Sequence, residues 1–341
     1  MKKLYFILFF LISSFLSNGQ KVFDNGGANN RAGSGDHLWS NPANWQQANM
    51  PPTAKNAIVV LKTDKLIIDQ NVELGFLKKA KITGTKYNTV VTNCNNEAAC
   101  NANDKVLTFS GKGINNDISI VNLEVNKGLI FNLDVVIKTE GNQTFEDIRI
   151  VEAGNAYITF GAGYSLTLNQ HIRIRDSKTN RRVNFNGTLL GAKSIKFGSE
   201  GSKDNNNNFY RNTIEFGAGF NAANWTGNLV FSQNYCAAIS NVTGNNTTLL
   251  PQNSKIETLD NITGSLLKLE GENAGINGIL KSAGGNTGGP LNVTINANQS
   301  TMGILNVGAQ NINLNIANAV TEVSFADHSG VANWGIGKLN I

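Results

Sequence analysis

The residues best suited to chemistry in this 341-residue sequence lie in the segment HIRIRD, residues 171–176. His171, Arg173 and Arg175 alternate along it, so a β-strand would point all three to one side. Cleavage of an acidic polysaccharide by elimination needs a base such as His, Lys or Arg, with acidic groups to balance the charge. Without that chemistry, the same cations could still bind an anionic polysaccharide.

Internal similarity extends this set of cations. Ile148-Arg149-Ile150 matches Ile172-Arg173-Ile174, and Ile195-Lys196-Phe197 falls in the same frame one repeat later. If these segments stack, Arg149, Arg173 and Lys196 are predicted to form a cationic ladder. Acidic residues fall nearby in the same frame: Glu146, Glu152, Asp176 and Glu200.

This charged face has three interpretations. Outward positions must be polar, so the first is a solvated face whose charges neutralise one another. The second is a glycan-binding site made by Arg149, His171, Arg173, Arg175 and Lys196. The third is a catalytic site, but there is no nucleophile motif and no matched pair of carboxylates on neighbouring segments, as a glycosidase would need. We therefore assign no catalytic residue and favour a protein that is not an enzyme.

The elements that would position this face are β-strands. From Ala54 onward, short apolar runs alternate with polar residues over four to six positions and are separated by Asp, Asn and Gly. This is the period of a strand, and no helical stripe interrupts it. Recurrence at a nearly constant spacing, roughly 22 to 25 residues, indicates coils that stack. We predict an all-β chain: one single-stranded parallel β-helix (β-solenoid) over residues 54–341.

The composition fits stacked coils. The chain has 35 Gly and 53 Asn, while charged residues make up only 16%. Asn tolerates left-handed turns, and identical Asn side chains on adjacent coils can form hydrogen-bonded ladders. Inward apolar residues would stack into one continuous core, since a single coil cannot bury its own apolar side.

Tryptophan marks a recurrent module. Trp39 and Trp45 lie in HLWSNPANWQQANMPP (37–52), and an Asn-Trp pair also follows a Phe and a loop in both 214–231 and 323–341. We expect such a Trp to pack over an end or corner of the solenoid, with its N–H bonded to turn backbone. Residues 20–53, with Trp39 and Trp45, are predicted to form an N-terminal cap on the first coil.

Residues 1–19 are predicted to be a signal peptide, because a basic start precedes an apolar run from Leu4 to Leu16. The mature chain is therefore expected to be secreted or on the outer cell surface, without a transmembrane segment. In such an oxidising compartment Cys94 and Cys100 could form a disulfide; two free thiols are the alternative. The third cysteine, Cys236, is expected to be a buried free thiol.

Charge and motifs exclude several classes of function. The net charge is +5, but Lys and Arg are scattered rather than grouped with aromatic residues, which argues against a nucleic-acid partner. The cysteine spacing matches no zinc pattern. No phosphate-binding loop is present. We predict no metal and no cofactor.

The N-terminal pattern resembles a known group. The signal, two tryptophans with five residues between them and a Pro-containing turn are similar to the start of bacterial autotransporter and filamentous-adhesin β-helix proteins, many of them from Bacteroidota. The residues that carry this resemblance are Trp39, Ser40, Asn41, Pro42, Asn44, Trp45 and Pro52. It implies a secreted or cell-surface β-solenoid scaffold or adhesin that binds surface or matrix glycans. A polysaccharide-lyase-like enzyme for an acidic polysaccharide is the alternative.

The end of the sequence departs from that group, since no C-terminal sorting domain is recognisable. The chain stops at GKLNI, within a predicted strand, so a longer surface protein is one expectation. The other is an uncovered sheet edge with Phe325 and Leu339 near solvent, which would favour self-association.

Overall fold

The computed structural model describes most of the strand-forming sequence. The described residues are 21–25, 35–46, 51–52, 57–79, 87–93, 105–110, 121–123, 127–138, 146–150, 156–176, 182–199, 211–216, 219–227, 229–232, 236–239, 255–258, 265–269, 279–281, 290–302, 304–325 and 338–341. The predicted signal peptide and both Cys94 and Cys100 lie outside them, as does the side chain of Cys236.

Within these residues the protein is built from short strands and one 3-10 helix, Pro42–Asn44. The strands are β1 (Lys21–Phe23), β2 (Ile58–Leu61), β3 (Lys65–Ile68), β4 (Val72–Leu74), β5 (Phe76–Lys79), β6 (Thr89–Asn93), β7 (Val106–Phe109), β8 (Val121–Leu123), β9 (Gly128–Asn132), β10 (Asp134–Ile137), β11 (Glu146–Ile150), β12 (Tyr157–Phe160), β13 (Ser165–Leu168), β14 (Ile172–Asp176), β15 (Arg182–Phe185), β16 (Thr188–Gly191), β17 (Ile195–Ser199), β18 (Arg211–Phe216), β19 (Leu229–Ser232), β20 (Cys236–Ile239), β21 (Lys255–Thr258), β22 (Ser265–Leu269), β23 (Ile279–Lys281), β24 (Leu291–Ile295), β25 (Gln299–Met302), β26 (Ile304–Asn306), β27 (Ile312–Ile316), β28 (Val323–Phe325) and β29 (Leu339–Asn340).

The strands form parallel sheets. Sheet A has the order β1-β2-β5-β8-β11-β14-β17-β19-β21-β23-β26, and sheet B runs from β3 through β6, β9, β12, β15, β18, β20, β22, β24 and β27 to β29. Sheet C is β4-β7-β10-β13-β16, and β25 pairs with β28. From β2 to β17 the chain visits sheets A, B and C in turn, and neighbouring strands are parallel throughout. The all-β prediction is confirmed, and the sheets are parallel.

Alternation of buried and less buried positions along many of the strands separates the core from the surface. In β24 the buried residues Leu291, Val293 and Ile295 alternate with the half-buried Asn292 and Thr294, as the two-residue period of a strand requires. The buried side chains of sheets A, B and C belong to one hydrophobic core. Its largest fully buried members include three tryptophans and five phenylalanines.

Phenylalanines form a column through this core. The ring centroids of Phe131 and Phe160 are 5.5 Å apart, as are those of Phe160 and Phe185, with nearly parallel ring planes in both pairs. Phe109 and Phe220 continue the column at 6.3 and 6.4 Å with tilted rings. Because the parallel strands β9, β12 and β15 carry Phe131, Phe160 and Phe185 at the same register, each of these three rings packs on the ring of the next strand.

Asparagine side chains join one strand to its neighbour where strands begin. Each accepts a hydrogen bond from a backbone N–H at or just before the start of the adjacent strand, so the amide replaces a turn carbonyl. In four such bonds an Asn Oδ1 accepts from a backbone N: Asn71 from Val106 (3.2 Å), Asn88 from Gly128 (2.9 Å), Asn298 from Thr321 (2.8 Å) and Asn311 from Lys338 (2.8 Å). This repeated role accounts for part of the high Asn content.

A second use of asparagine is the side-chain ladder expected from the composition. Asn313 Nδ2 donates to Asn292 Oδ1 at 2.7 Å, and Asn340 Nδ2 donates to Asn313 Oδ1 at 2.6 Å. The three residues are in register on β24, β27 and β29 of sheet B. The predicted Asn ladder is confirmed at this place.

The predicted constant spacing between coils is wrong as a general rule. Along sheet A, Ile58 pairs with Phe76, a short step along the chain, but Leu77 pairs with Val121, a step more than twice as long. Connections of different length join the strands, and only the strands themselves must keep register. Spacings within the predicted range do occur, as between Ile172 and Ile195.

The similarity between 214–231 and 323–341, which matches Phe216 with Phe325 and Leu229 with Leu339, does not place its two copies on equivalent sheets. Phe216 lies on sheet B, whereas Phe325 lies on β28 of the two-stranded sheet; Leu229 lies on sheet A, whereas Leu339 lies on sheet B. A Phe or Leu suits a strand of either sheet, so sequence similarity could not determine which sheet receives it.

Candidate functional site

The predicted cationic face lies on sheet A, on the neighbouring strands β11, β14 and β17. Arg173 pairs with Lys196, as the repeat frame predicts. On the other side, however, Arg173 pairs with Asp147, and Arg149 pairs with Arg175. The predicted ladder Arg149–Arg173–Lys196 is therefore wrong by two residues at its first step.

The reason for this error is the two-residue period of the strand. IRIR in β14 repeats every second residue, so a shift of two still places Ile beside Ile and Arg on the same face. Hydrophobic pattern alone cannot distinguish these registers. The observed register puts an opposite charge, Asp147, beside Arg173.

Arg173 and Asp147 form a bidentate ion pair. Arg173 Nε lies 2.7 Å from Asp147 Oδ1, and Nη2 lies 2.8 Å from Oδ2. The Arg173 side chain is 35% exposed and that of Asp147 15%. The two planar groups satisfy each other in the geometry that guanidinium and carboxylate prefer. A ligand of Arg173 must therefore compete with Asp147 or bind the pair together.

His171 is held as a neutral imidazole. Its Nδ1 accepts a hydrogen bond from the backbone N–H of Ser194 at 2.9 Å, so the ring proton is placed on Nε2. Burial, and after it the positive charge of Lys193, lowers the pKa of His171 below its ordinary value. His171 thus adds no positive charge near neutral pH, and its Nδ1 is not available as a base.

The remaining predicted ligands are described only in part. The backbones of Arg149, Arg175 and Lys196 lie in β11, β14 and β17, while their side chains lie outside the described atoms. Sequence reasoning missed Asp147 and Ser194 as the partners that fix Arg173 and His171. The sequence did contain a signal for Asp147: it lies two residues before Arg149 in EDIRI, so the two side chains share one face of the strand.

The tryptophan segment is packed into the protein. Trp39 and Trp45 are 1% and 2% exposed, and their rings meet edge to face with centroids 4.8 Å apart. Trp45 also packs on Phe23 of β1 at 5.1 Å. Trp45 Nε1 donates to the carbonyl oxygen of Trp39 at 2.9 Å, so the expected bond from the indole to turn backbone is confirmed.

The same turn occurs a second time around Trp225. In NPANW, Asn41 Oδ1 accepts from Ala43 N at 3.0 Å; in NAANW, Asn221 Oδ1 accepts from Ala223 N at 2.9 Å. Trp225 is fully buried, and its Nε1 donates to Lys193 O at 2.8 Å. Asn221 and Trp225 bridge to the edge of β16 in parallel fashion. This turn therefore covers the last strand of sheet C, and the sequence likeness reflects a shared local structure.

Comparison with protein-family models, with curated proteins and with solved structures gives no match. In the part of the chain that the structure describes, no helix is long and apolar enough to cross a membrane. Among the same residues, no group of three or more His, Cys, Asp or Glu side chains is placed to hold a metal ion.

Proposed function

We propose that residues 54–341 form a single parallel β-helix. The support is the order in which the chain visits its sheets: one strand each in A, B and C before returning to A from β2 to β17, and then A and B in alternation from β17 to β24. Such an order arises when each coil adds one strand to each sheet. Inward residues of all three sheets also share one hydrophobic core.

We propose further that residues 20–53 cap this solenoid. β1 is the outermost strand of sheet A, and Leu38 bridges to Ile67 in β3, the outermost strand of sheet B. Trp39 and Trp45 are buried in this segment together with Phe23. The segment thus covers apolar core and two sheet edges that would otherwise face water.

Small-angle X-ray scattering of residues 20–341 tests the architecture. We expect an elongated particle of constant cross-section, because stacked coils grow in one direction only. A series at rising concentration also tests the proposed self-association through β29, which lies at the edge of sheet B opposite β3. Mass should rise with concentration. A compact sphere would contradict the solenoid, and constant mass would contradict pairing at β29.

For the biological role we propose a secreted or outer-surface scaffold or adhesin, not an enzyme, that binds surface or matrix glycans. The observation that carries this proposal is the in-register order of outward polar side chains. The pair Asp147–Arg173 on sheet A and the ladder Asn292–Asn313–Asn340 on sheet B present polar groups at the spacing of strands. A rigid row of this kind suits an extended polymer that makes many similar contacts.

Export rests on residues 1–19, with their basic start and apolar run. The disulfide between Cys94 and Cys100 belongs to the same proposal, since only an oxidising compartment would sustain it.

Binding to a panel of neutral glycans and uronans, with matched variants, tests the proposed site on sheet A. For a uronan bound there, Arg173→Ala should weaken affinity by about tenfold to a hundredfold, the worth of a charge-assisted hydrogen bond. Asp147→Ala should strengthen it several-fold, because it removes the carboxylate that competes with the uronan for Arg173. Arg182→Ala, an exposed arginine on sheet B, is the control and should have little effect.

Two outcomes would contradict this assignment. Equal binding by the Arg173→Ala and Asp147→Ala variants would remove the glycan site from this face. Growth of an unsaturated, ultraviolet-absorbing product with any uronan, abolished by Arg173→Ala, would replace the scaffold by the lyase-like alternative.

A further inference from the structure

A lysine is buried in the N-terminal part of the core. Lys79, the last residue of β5, is only 3% exposed. It lies in register between Leu61 of β2 and Leu123 of β8, both fully buried. An amine thus occupies a position that its neighbours on sheet A fill with aliphatic side chains. Lys79 lies two residues after the buried Leu77, so both side chains point to the same, inward face of the strand. This spacing is the sequence signal for the buried lysine.

The amine is held by neutral groups where sheets A and B meet. Lys79 Nζ donates to the hydroxyl of Thr89, at the start of β6, and the Thr89 hydroxyl donates to the carbonyl oxygen of Thr63. The ring of Tyr87 lies over Nζ at 5.0 Å from its centroid, and the Tyr87 hydroxyl donates to Lys62 O at 3.0 Å. These contacts connect β5 to the segment just before β3 and to the start of β6.

The surroundings of Lys79 compensate the positive charge of an ammonium ion poorly. The ion carries three donors, and the described residues offer it one hydroxyl oxygen and one aromatic face. The charged and titratable groups on the adjoining segments are Asp64, which is exposed, Tyr87, Lys62, Lys65 and Lys78. Burial lowers the pKa of Lys79 to about 8, and the negative charge of Asp64 only partly opposes this. Burial also raises the pKa of Tyr87 to about 12, so Tyr87 stays neutral.

We propose that Lys79 is a proton-linked switch at this corner of the fold. The neutral amine fits between the aliphatic side chains of Leu61 and Leu123, and its bond to Thr89 holds β5 against β6. The ammonium, which water solvates better than the core does, loosens that junction. The N-terminal coils are therefore tightened by alkaline conditions and relaxed by neutral or acidic ones.

The direction of the pH dependence follows from proton binding. Unfolded Lys79 keeps its proton up to pH about 10.5, while the folded protein releases it near pH 8. Between these values the unfolded state binds more protons, so stability rises with pH. From pH 7 to 9.5 the equilibrium constant for folding should increase roughly 10- to 30-fold on account of Lys79.

Urea unfolding followed by tryptophan fluorescence, from pH 7 to 9.5, tests the switch in residues 20–341. In Lys79→Met, a chain of similar length without the amine, this pH-dependent increase should disappear. Lys78→Met is the matched control, since Lys78 lies on the opposite, half-buried face of the same strand, and it should keep the increase. An increase of equal size in Lys79→Met and the wild type would overturn the proposal.

A second variant tests the same idea without removing the lysine. Thr89→Val deletes the hydroxyl that, among the described residues, accepts from Nζ, and this disfavours the ammonium further. The pH-dependent increase should then become steeper than in the wild type. An unchanged or shallower dependence in Thr89→Val would also overturn the switch, including in the case that Lys79→Met fails to fold.

Discussion

Replacing Trp45 by alanine is expected to lower the free energy of unfolding by about 3 to 5 kcal/mol, the usual cost of removing a large aromatic side chain from a packed core. Trp45 is 2% exposed and packs edge to face on both Phe23 and Trp39. The substitution would leave a cavity bordered by these rings. It would also leave the carbonyl oxygen of Trp39 without the indole donor. Urea or thermal unfolding of residues 20–341 measures this loss.

Trp45→Phe separates packing from hydrogen bonding. Phenylalanine keeps most of the buried area but cannot donate to Trp39 O, so about 1 to 3 kcal/mol should be lost for the unsatisfied buried carbonyl. The alanine variant should therefore be clearly less stable than the phenylalanine variant. A loss below about 0.5 kcal/mol for Trp45→Ala, as expected of surface substitutions, would show that the cap contributes nothing to stability.

Phe160→Ala is expected to have a comparable effect, about 3 to 5 kcal/mol, at the centre of the phenylalanine column. Phe160 stacks on Phe131 and on Phe185 at 5.5 Å on each side, so its removal interrupts the column between two strands of sheet B. Rigid neighbours on parallel strands cannot close the gap without shifting the hydrogen-bonded backbone. Calorimetry or denaturant unfolding measures the result.

The control for Phe160 lies on an outward position. Thr167 is half-buried on β13 between the buried Leu166 and Leu168, so Thr167→Ala changes the surface of a strand but not the core. Its effect should stay within about 0.5 kcal/mol. Equal losses for Phe160→Ala and Thr167→Ala would mean that the column does not carry the stability of sheet B.

Several local features were predictable from the residues alone. Two-residue alternation predicted strands and the inward set, as in Leu291, Val293 and Ile295. The repeated Asn-Trp pair predicted a shared turn, which 41–45 and 221–225 both adopt. The abundance of asparagine predicted ladders, found at Asn292, Asn313 and Asn340. The strands and the turn depend on contacts close in sequence or on a two-residue period, which a pattern can express. The ladder joins residues 21 and 27 positions apart, so composition predicted that ladders would form but not which asparagines form them.

Features that depend on register between distant segments required the tertiary structure. The shift that pairs Arg173 with Asp147 preserves the alternation of IRIR, so no pattern in the sequence distinguishes it from the predicted pairing. That one shift replaces part of a cationic ladder by an ion pair. The accompanying bond from Ser194 to His171 leaves that imidazole neutral. The sequence therefore indicated which strands carry these charged residues, but not which charges meet.

By itself the sequence determined that this chain is all-β, which side chains face inward, and that Trp39, Trp45 and Trp225 are buried at turns. These follow from hydrophobic burial acting on a two-residue period. Only the tertiary structure decided which strands are neighbours, how far each is shifted and which charges meet. The length of chain between paired strands varies, as between the pairs Ile58–Phe76 and Leu77–Val121, so chain length does not settle these choices. Only side-chain packing and charge pairing between adjacent strands settle them.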